Sequence, residues 1–427
     1  MSDIKSMSFS DKDLGGSRPT SEKVSEVGVV EGLSQPKHSI LERCLSYARL
    51  DSGDDMSVAG RWSNAVVTYW LCDAVAPGNL RLGSSLVTLG FSWKVTIGII
   101  ALGHFLISLA ITANSVIGAR YHIPYTIQSR ASFGFFFSFV VVFIRMLVGF
   151  FWYGLNTYTR RMCQCGWACH VSGGGLHTTL MKQDTTLHGS AYTWAFLSGL
   201  NSMLGNYGTM AVNINDFARY ARSSRMIVVQ IIIIPLSFML MSFIGIIIAG
   251  AASDLYGKEI WDPLTIMSHW TGSHQSRAGA VFVGLSFVLA QLGSNISANC
   301  ISAANDLNAM FPRYINLRRG SYLIAFIGAW ALTPWNILSS AAALLDFMDG
   351  YVIWLAPITG VLLADYYIVH RRTYDIEEMY LPNGIYRYNK FGTNWRAVAA
   401  WLVGCVPLIP GFASSLAVDF SGGGELI

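Results

Sequence analysis

MIVVQIIIIPLSFMLMSFIGIIIAGAA, residues 226–252, is a run of 27 residues without a single charge. Coiled as an α-helix at about 1.5 Å per residue, it exceeds the roughly 30 Å of a bilayer's hydrocarbon core. A buried helix of a soluble core needs no such length, so lipid is the solvent against which the rest of the chain is read. Composition agrees. Of 427 residues, 52% are hydrophobic and 13% charged, where a soluble domain carries about 25% charge. Seventeen of the charged residues fall in the first 60 positions, so the remainder is poorer still. These figures exclude a secreted disulfide scaffold and a disordered chain, and a net charge of +4 is too small for a nucleic-acid binder.

Outward from this segment, further stretches poor in charge recur at 62–80, 95–118, 131–159, 191–215, 278–305, 321–345, 351–369 and 397–417. With 226–252 they give nine expected spans of an all-α polytopic membrane protein. Residues 1–60 are polar and Ser-rich, lack the apolar core of a signal peptide, and are expected to be a disordered cytosolic tail. The chain then divides into 61–159 with three helices, a loop at 160–190, a second helical block at 191–369, a cytosolic loop at 370–395, and a last helix with a short end at 396–427.

If the spans alternate, connections bearing Arg120 and Arg130, Arg219, Arg222 and Arg225, Arg313, Arg318 and Arg319, and Arg371, Arg372 and Arg387 all fall on one side. By the positive-inside rule that side is cytosolic. The loop at 160–190 dissents, because it must face outward yet carries Arg160, Arg161 and Lys182. It also holds Cys163, Cys165, Cys169 and His170, a thiol and imidazole cluster without the paired spacing of a zinc module. Neither a metal nor another cofactor is expected.

Backbone at membrane depth must be satisfied by protein or by a water-filled cavity, so interruptions of an apolar helix point to a site. One is expected at 73–79, DAVAPGN, and a second at 199–208, GLNSMLGNYG, which contains Asn206 and Tyr207. Trp152 and Asn156 are four residues apart and share a helical face with Arg145 two turns earlier. Asn295 and Asn299 share another, just after Ser294. Amides both donate and accept, which suits the edge of a planar heterocycle, while an indole offers a stacking surface. The competing account has these amides and small residues simply joining helices. Asp73, Arg145, Asp346 and Asp349 are ionisable groups at or near membrane depth, where charge is costly and commonly functional. Asp73 is the proton-relay candidate because it adjoins a break. Asp346 and Asp349 are expected at the outer end of a span, and Arg145 is expected to pair with one of the three acids.

The strings RASFG (130–134), WYGLNTY (152–158), GTMAVNINDFARYA (208–221), SANCISAANDL (297–307) and APITGVLLADYY (356–367) resemble the nucleobase and cation symporter family, in its fungal branch for uracil, uridine, allantoin or thiamine. The resemblance runs from about 61 to 412, outside 160–188. It implies a LeuT-like fold of two inverted five-helix repeats with two added helices, of which about nine of twelve helices are present here. Residues 61–159 would be three helices of the first repeat and 191–369 the second repeat, with two helices replaced at 160–190. By motif position, Trp152 and Tyr207 would sandwich the substrate ring, and Asn156 and Asn299 would bond its edge, with Asn206 beside them. The cation site of sodium-coupled relatives would fall at Ala290, Gly293 and Ser294, where Gly293 removes a hydroxyl ligand, so the coupling ion implied is a proton. Asn215 stands where the family has Pro, and Arg81 where an aromatic is usual.

The expectation is therefore a proton-coupled symporter of a nucleobase or related heterocycle, working within a lipid bilayer and without nucleic acid. A thiamine-type permease and a truncated, receptor-like remnant that binds without transporting are the alternatives. An intramembrane enzyme finds no motif, since His104 and His122 have no metal or nucleophile spacing with the acids. With two helices absent, the chain is expected in a multi-pass membrane location, held in internal membranes rather than reaching the plasma membrane expected for the family.

Overall fold

The computed structural model describes residues 65–161, 184–221, 227–257, 260–262, 274–330 and 333–414, with no strand among them. The helices are α1 (Ala65–Ala74), α2 (Pro77–Thr88), α3 (Trp93–Tyr121), α4 (Tyr125–Phe133), α5 (Ser138–Arg161), α6 (Gly189–Asn206), α7 (Gly208–Asn213), α8 (Asn215–Ala218) and α9 (Gln230–Tyr256). They continue with α10 (His274–Ser294), α11 (Ser302–Met310), α12 (Leu317–Trp330), α13 (Pro334–Ile337), α14 (Ala341–Ala364), α15 (Ile376–Met379) and α16 (Trp395–Cys405). Wider π-helical turns, Asn295–Ile301 and Asp365–Val369, join α10 to α11 and extend α14.

Five helical stretches among the described residues are long and apolar enough to cross a membrane: Trp93–Tyr121, Ser138–Tyr158, Gln230–Tyr256, Ala341–Val369 and Trp395–Ser414. The other four expected spans differ from uninterrupted apolar rods. The first is split into α1 and α2 around the turn before Pro77, which takes the first helical position of α2 where its missing N–H costs nothing. The fourth is split at Tyr207, the sixth contains the π-turn, and α12 is only 14 residues long.

Three expected boundaries are corrected. The third span does not begin at 131, because Gly134 takes a φ of +93° and separates α4 from α5. A Cβ there would lie 2.6 Å from the Gly392 carbonyl, so only glycine fits. The seventh span does not run to 345 and the eighth does not start at 351. Ser340 instead accepts from the Ala343 N–H at 3.0 Å and starts α14 at Ala341, so what the apolar pattern divides at 345–351 is one helix.

The helices of the first break and α9 meet backbone to backbone. A Cβ on Gly83 would strike the Ser242 carbonyl, and one on Gly245 the Leu80 carbonyl. Ser242 Oγ donates to the Asn79 carbonyl at 3.2 Å across the same seam. Asn215 also has a structural place. Its Oδ1 accepts from the Gly118 N–H at 3.0 Å and its Nδ2 donates to Asn114 at 3.2 Å. Asn114 in turn donates to the carbonyls of Ala211 and Val212 at 2.8 and 2.9 Å. These amides replace the helical bonds that α7 and α8 lack where they meet α3.

The Arg-bearing connections gather at one end of the bundle. Tyr121 donates to the Arg372 carbonyl at 2.9 Å, Arg130 to the Met379 carbonyl at 3.3 Å, and a His122 ring nitrogen lies 2.6 Å from the Arg219 carbonyl. Asp365 accepts from Ser132 and Tyr374 there, each at 2.9 Å, and lies 3.2 Å from His370. The hydrogen bond to that carboxylate holds the His370 imidazole above its ordinary value of 6.5.

Candidate functional site

The site begins at the two helix breaks. At the first, Asn79 reaches back from α2 and donates its side-chain amide to the carbonyls of Asp73 and Ala74, at 2.9 and 3.1 Å. The last carbonyls of α1 are thereby satisfied without water. The second break is narrower than the expected span of 199–208: α6 is continuous through Gly199 and Gly205, and only Tyr207 leaves helical geometry, with φ −117° and ψ 18°. The glycines serve packing instead, for a Cβ on Gly205 would lie 2.9 Å from the Met348 carbonyl.

Between the breaks is a cavity of about 70 Å³ whose lining includes Trp152, Asn156, Asn206, Tyr207 and Asn299, with Asp73 and Ser294. Trp152 is partly exposed, its ring edge-on to Phe347 and Tyr351 at centroid distances of 6.0 and 6.2 Å. Asn156 makes no hydrogen bond among the described residues, so its donors and acceptor are open to the cavity's contents. Asn206 donates to Asn79 at 3.4 Å, and Asn299 to Asn295 at 3.0 Å. Asn295 is buried and anchored on the Tyr153 carbonyl and Thr157, both at 3.2 Å, so it positions Asn299 and does not line the cavity. Tyr207 is 7% exposed, packed 4.5 Å from Phe238 and 5.4 Å from Trp70 between ring centroids.

Asp73 is the junction. Tyr207 donates to its Oδ2 at 2.6 Å and Ser294 donates to its Oδ1. The same carboxylate also lines a groove of about 550 Å³ together with Ala290, Gly293 and Ser294. Ala290 therefore belongs to the groove and is not part of the cavity wall. The groups around Asp73 are tied together by hydrogen bonds within the protein. Its carbonyl and that of Ala74 accept from Asn79, the Gly293 carbonyl accepts from Ser297 at 2.8 Å, and Ser294 gives its hydroxyl hydrogen to the carboxylate.

The remaining charged groups are arranged differently from the sequence expectation. Arg145 pairs with none of Asp73, Asp346 and Asp349. Its Nη1 lies 2.7 Å from Asp306, with both side chains buried, and its Nη2 donates to Ser302. Ser302 and Asp306 are four apart, and their shared face is readable within SANCISAANDL once α5 is known to lie against it. Asp349 is not at an exposed helix end. It accepts from Ser198, Asn201 and Ser202 at 2.9, 3.0 and 2.6 Å and ties α14 to α6. Arg81, Asn79 and Thr209 line the cavity without having been singled out for it. Arg81 is 3% exposed and holds Asp262 through two bonds at 2.8 and 3.3 Å, so the cation that replaces an aromatic pins a loop beside the cavity. The cluster of Cys163, Cys165, Cys169 and His170 lies outside the described residues.

The profile of the family described as permease for cytosine/purines, uracil, thiamine, allantoin matches residues 59–165 and 160–425. An uncharacterized permease of Schizosaccharomyces pombe is 35% identical, over 82% of this chain and 74% of that protein. The uridine permease of Saccharomyces cerevisiae is 30% identical over 83% of this chain and 67% of its own length, and the uracil permease of the same yeast 28% identical over 82% and 67%. Among solved structures, inward-facing Mhp1 superposes with a TM-score of 0.62 at 18% identity, covering 82% of this chain and 90% of that one. Closed Mhp1 with bromovinylhydantoin bound, a nucleobase-cation-symport-1 family transporter, gives 0.57 at 18% identity over 82% and 92%. The architecture is thus the LeuT-like inverted-repeat transporter fold, built around two broken helices and embedded as a multi-pass membrane protein. On the match over most of its length, the chain belongs to the family of permeases for cytosine and purines, uracil, thiamine and allantoin.

Proposed function

We propose that the chain is a secondary transporter of a nucleobase or related heterocycle such as uracil, uridine or allantoin, coupled to protons through Asp73. The observation that carries this reading is that one buried carboxylate lines both the amide-bearing cavity and the groove at Ser294. Trp152 offers the stacking face, Asn156 an uncommitted amide, and Asn299 the carbonyl that its bond to Asn295 leaves over. Tyr207, on the other wall, would close the sandwich.

Protonation of Asp73 converts one acceptor oxygen into a donor, so Ser294 or Tyr207 must release or reverse its bond. Such a step changes how α10 and the α6–α7 break are held together, which is what alternating access requires. Gly293 offers no side-chain hydroxyl beside Ser294 to ligate a sodium ion, which favours the proton as coupling ion. The Arg-bearing end of the bundle is taken as cytosolic.

Uptake of labelled uracil, uridine, allantoin and thiamine by cells without their own carriers tests the reading. Saturable uptake of one of the first three supports it, and uptake of thiamine alone selects the vitamin permease. Binding without uptake selects a receptor-like role.

A further inference from the structure

The groove that Asp73 lines adjoins a further space. It shares Tyr69 and Ser297 with a cavity of about 500 Å³ at the Arg-bearing end, whose lining includes Asp216 and Arg219. Two carboxylates, Asp73 and Asp216, 5% and 2% exposed, thus border one connected path. We infer that Asp216 Oδ2 carries a proton and is a second proton site, through which the ion released by Asp73 leaves toward the cytosol. The inference rests on the transport reading and deepens it.

The neighbours of Asp216 present an acceptor where an ionised carboxylate needs a hydrogen. Oδ1 is satisfied by the Tyr125 N–H at 3.1 Å. Oδ2 faces the end of the Asn213 amide at 3.4 Å. That end is the amide oxygen, which accepts from Arg145 Nη2 at 3.0 Å and from Ser302, while the nitrogen donates to the Thr209 carbonyl at 2.6 Å. The reverse orientation would set the Asn213 oxygen against the Thr209 carbonyl. Asn213 Oδ1 and an ionised Oδ2 repel each other, and a proton on Oδ2 turns that repulsion into attraction.

The charges around it agree. Asp306 on α11 acts on Asp216 as a second acid, and its Oδ1 is buried without a partner among the described residues. The Tyr125 hydroxyl of α4 is likewise buried and unpartnered, within the field of both acids. Arg145 of α5 spends its bonds on Asp306, Ser302 and Asn213. Arg219, half-buried at the end of α8, donates to Tyr220 Oη at 2.6 Å. Both cations act on Asp216, and neither bonds it among the described residues. A buried carboxylate that receives one N–H and faces another acid is costly to keep ionised.

The transfer moves a proton and nothing else. The O–H bond of Asp73 breaks as water in the path accepts the proton, and Asp216 passes its own proton to the cavity before taking the newcomer.

Infrared spectroscopy of the purified full chain, recorded as pH is cycled, reads protonated carboxyl groups by their C=O stretch. Asp73 and Asp216 should give separate bands, each lost in its own Asn variant and kept in the other. Asp216→Asn retains the oxygen that accepts from Tyr125 and offers an N–H toward Asn213, so the fold should survive. If it does not, Asp216→Glu should shift the second band without removing it. A spectrum unchanged by both Asp216 variants, or one in which Asp73→Asn removes every band, would overturn the proposal. The bands are read without uptake, so a chain that shows both and carries no substrate keeps the second site and loses the transport reading.

Discussion

Ser294 and Asp73, 221 positions apart in sequence, are joined by a hydroxyl-to-carboxylate hydrogen bond inside the bundle, and Tyr207 takes the carboxylate's other oxygen at 2.6 Å. Three separate helices thus report to one titratable group. Asp73→Asn keeps the shape and removes the proton site. It should abolish the acceleration of uptake by external acid, and because the amide keeps one acceptor oxygen, the loss of one bond to a charged group, about 1.5–3 kcal/mol, should lower uptake by about tenfold or more. In the unaltered chain, uptake should rise with acidity and ignore replacement of sodium by choline. A strict sodium requirement at constant pH would reverse the assignment.

Trp152 and Asn156 present their side chains to one cavity from one face of α5. Trp152→Ala should weaken substrate binding by roughly 1 kcal/mol or more through lost stacking. Asn156→Ala should cost about 1–3 kcal/mol by leaving a buried substrate group unpaired. Equilibrium binding to purified protein measures both, and unchanged affinity in the two variants would sink the pocket.

Their shared face was legible because a spacing of four is a property of the helix itself. Asp73 was legible too, since Pro77 and Gly78 mark the break beside it. The partner of Arg145 was not, because Asp306 sits outside any break and becomes conspicuous only when α11 is laid against α5. The separation of α13 from α14 escaped for a related reason. Residues 321–345 are apolar almost throughout, and apolarity sets depth in a bilayer without recording where Ser340 caps a new helix. Gly134 shows the same limit, as its positive φ follows from the approach of Gly392, about 260 residues away.

The Arg145–Asp306 pair, with side chains 2% and 0% exposed, gives a third test. Arg145→Met alone should destabilise by about 3–5 kcal/mol because it strands a buried carboxylate. Pairing it with Asp306→Leu should recover much of that loss. Thermal melting in detergent distinguishes the cases, and a double variant worse than the single would contradict the account.

His370, held above 6.5 by Asp365, predicts a pH dependence of the loop it opens. Because the folded value is the higher one, the pair's contribution is complete below about 6.5 and fades as pH rises through the folded value. His370→Gln should therefore melt below the unaltered protein at pH 5.5 and approach it by pH 8.5. A gap that is constant across this range would show that the ring acts by packing alone.

The family profile matches in two pieces that meet at 160–165, and the alignment to the fission-yeast permease runs over 417 positions although only 82% of this chain's 427 residues enter it. The relative thus carries residues within the match that this chain lacks. Inserting that relative's intervening segment in place of 162–183 should raise surface expression and uptake in cells. Equal surface expression and transport by the unaltered chain would show that it needs no such segment.

The seam between α2 and α9, where Gly83 and Gly245 admit the opposing backbone, also bears on how the molecule can move. Carbonyl edges in contact cannot slide over one another as interdigitated side chains can, because no rotamer is available to relieve the clash. α2 and α9 must therefore travel as a single rod. The cleavage plane of any conformational change is displaced to the other side of α1, where hydroxyls and one carboxylate, rather than locked backbone, form the boundary.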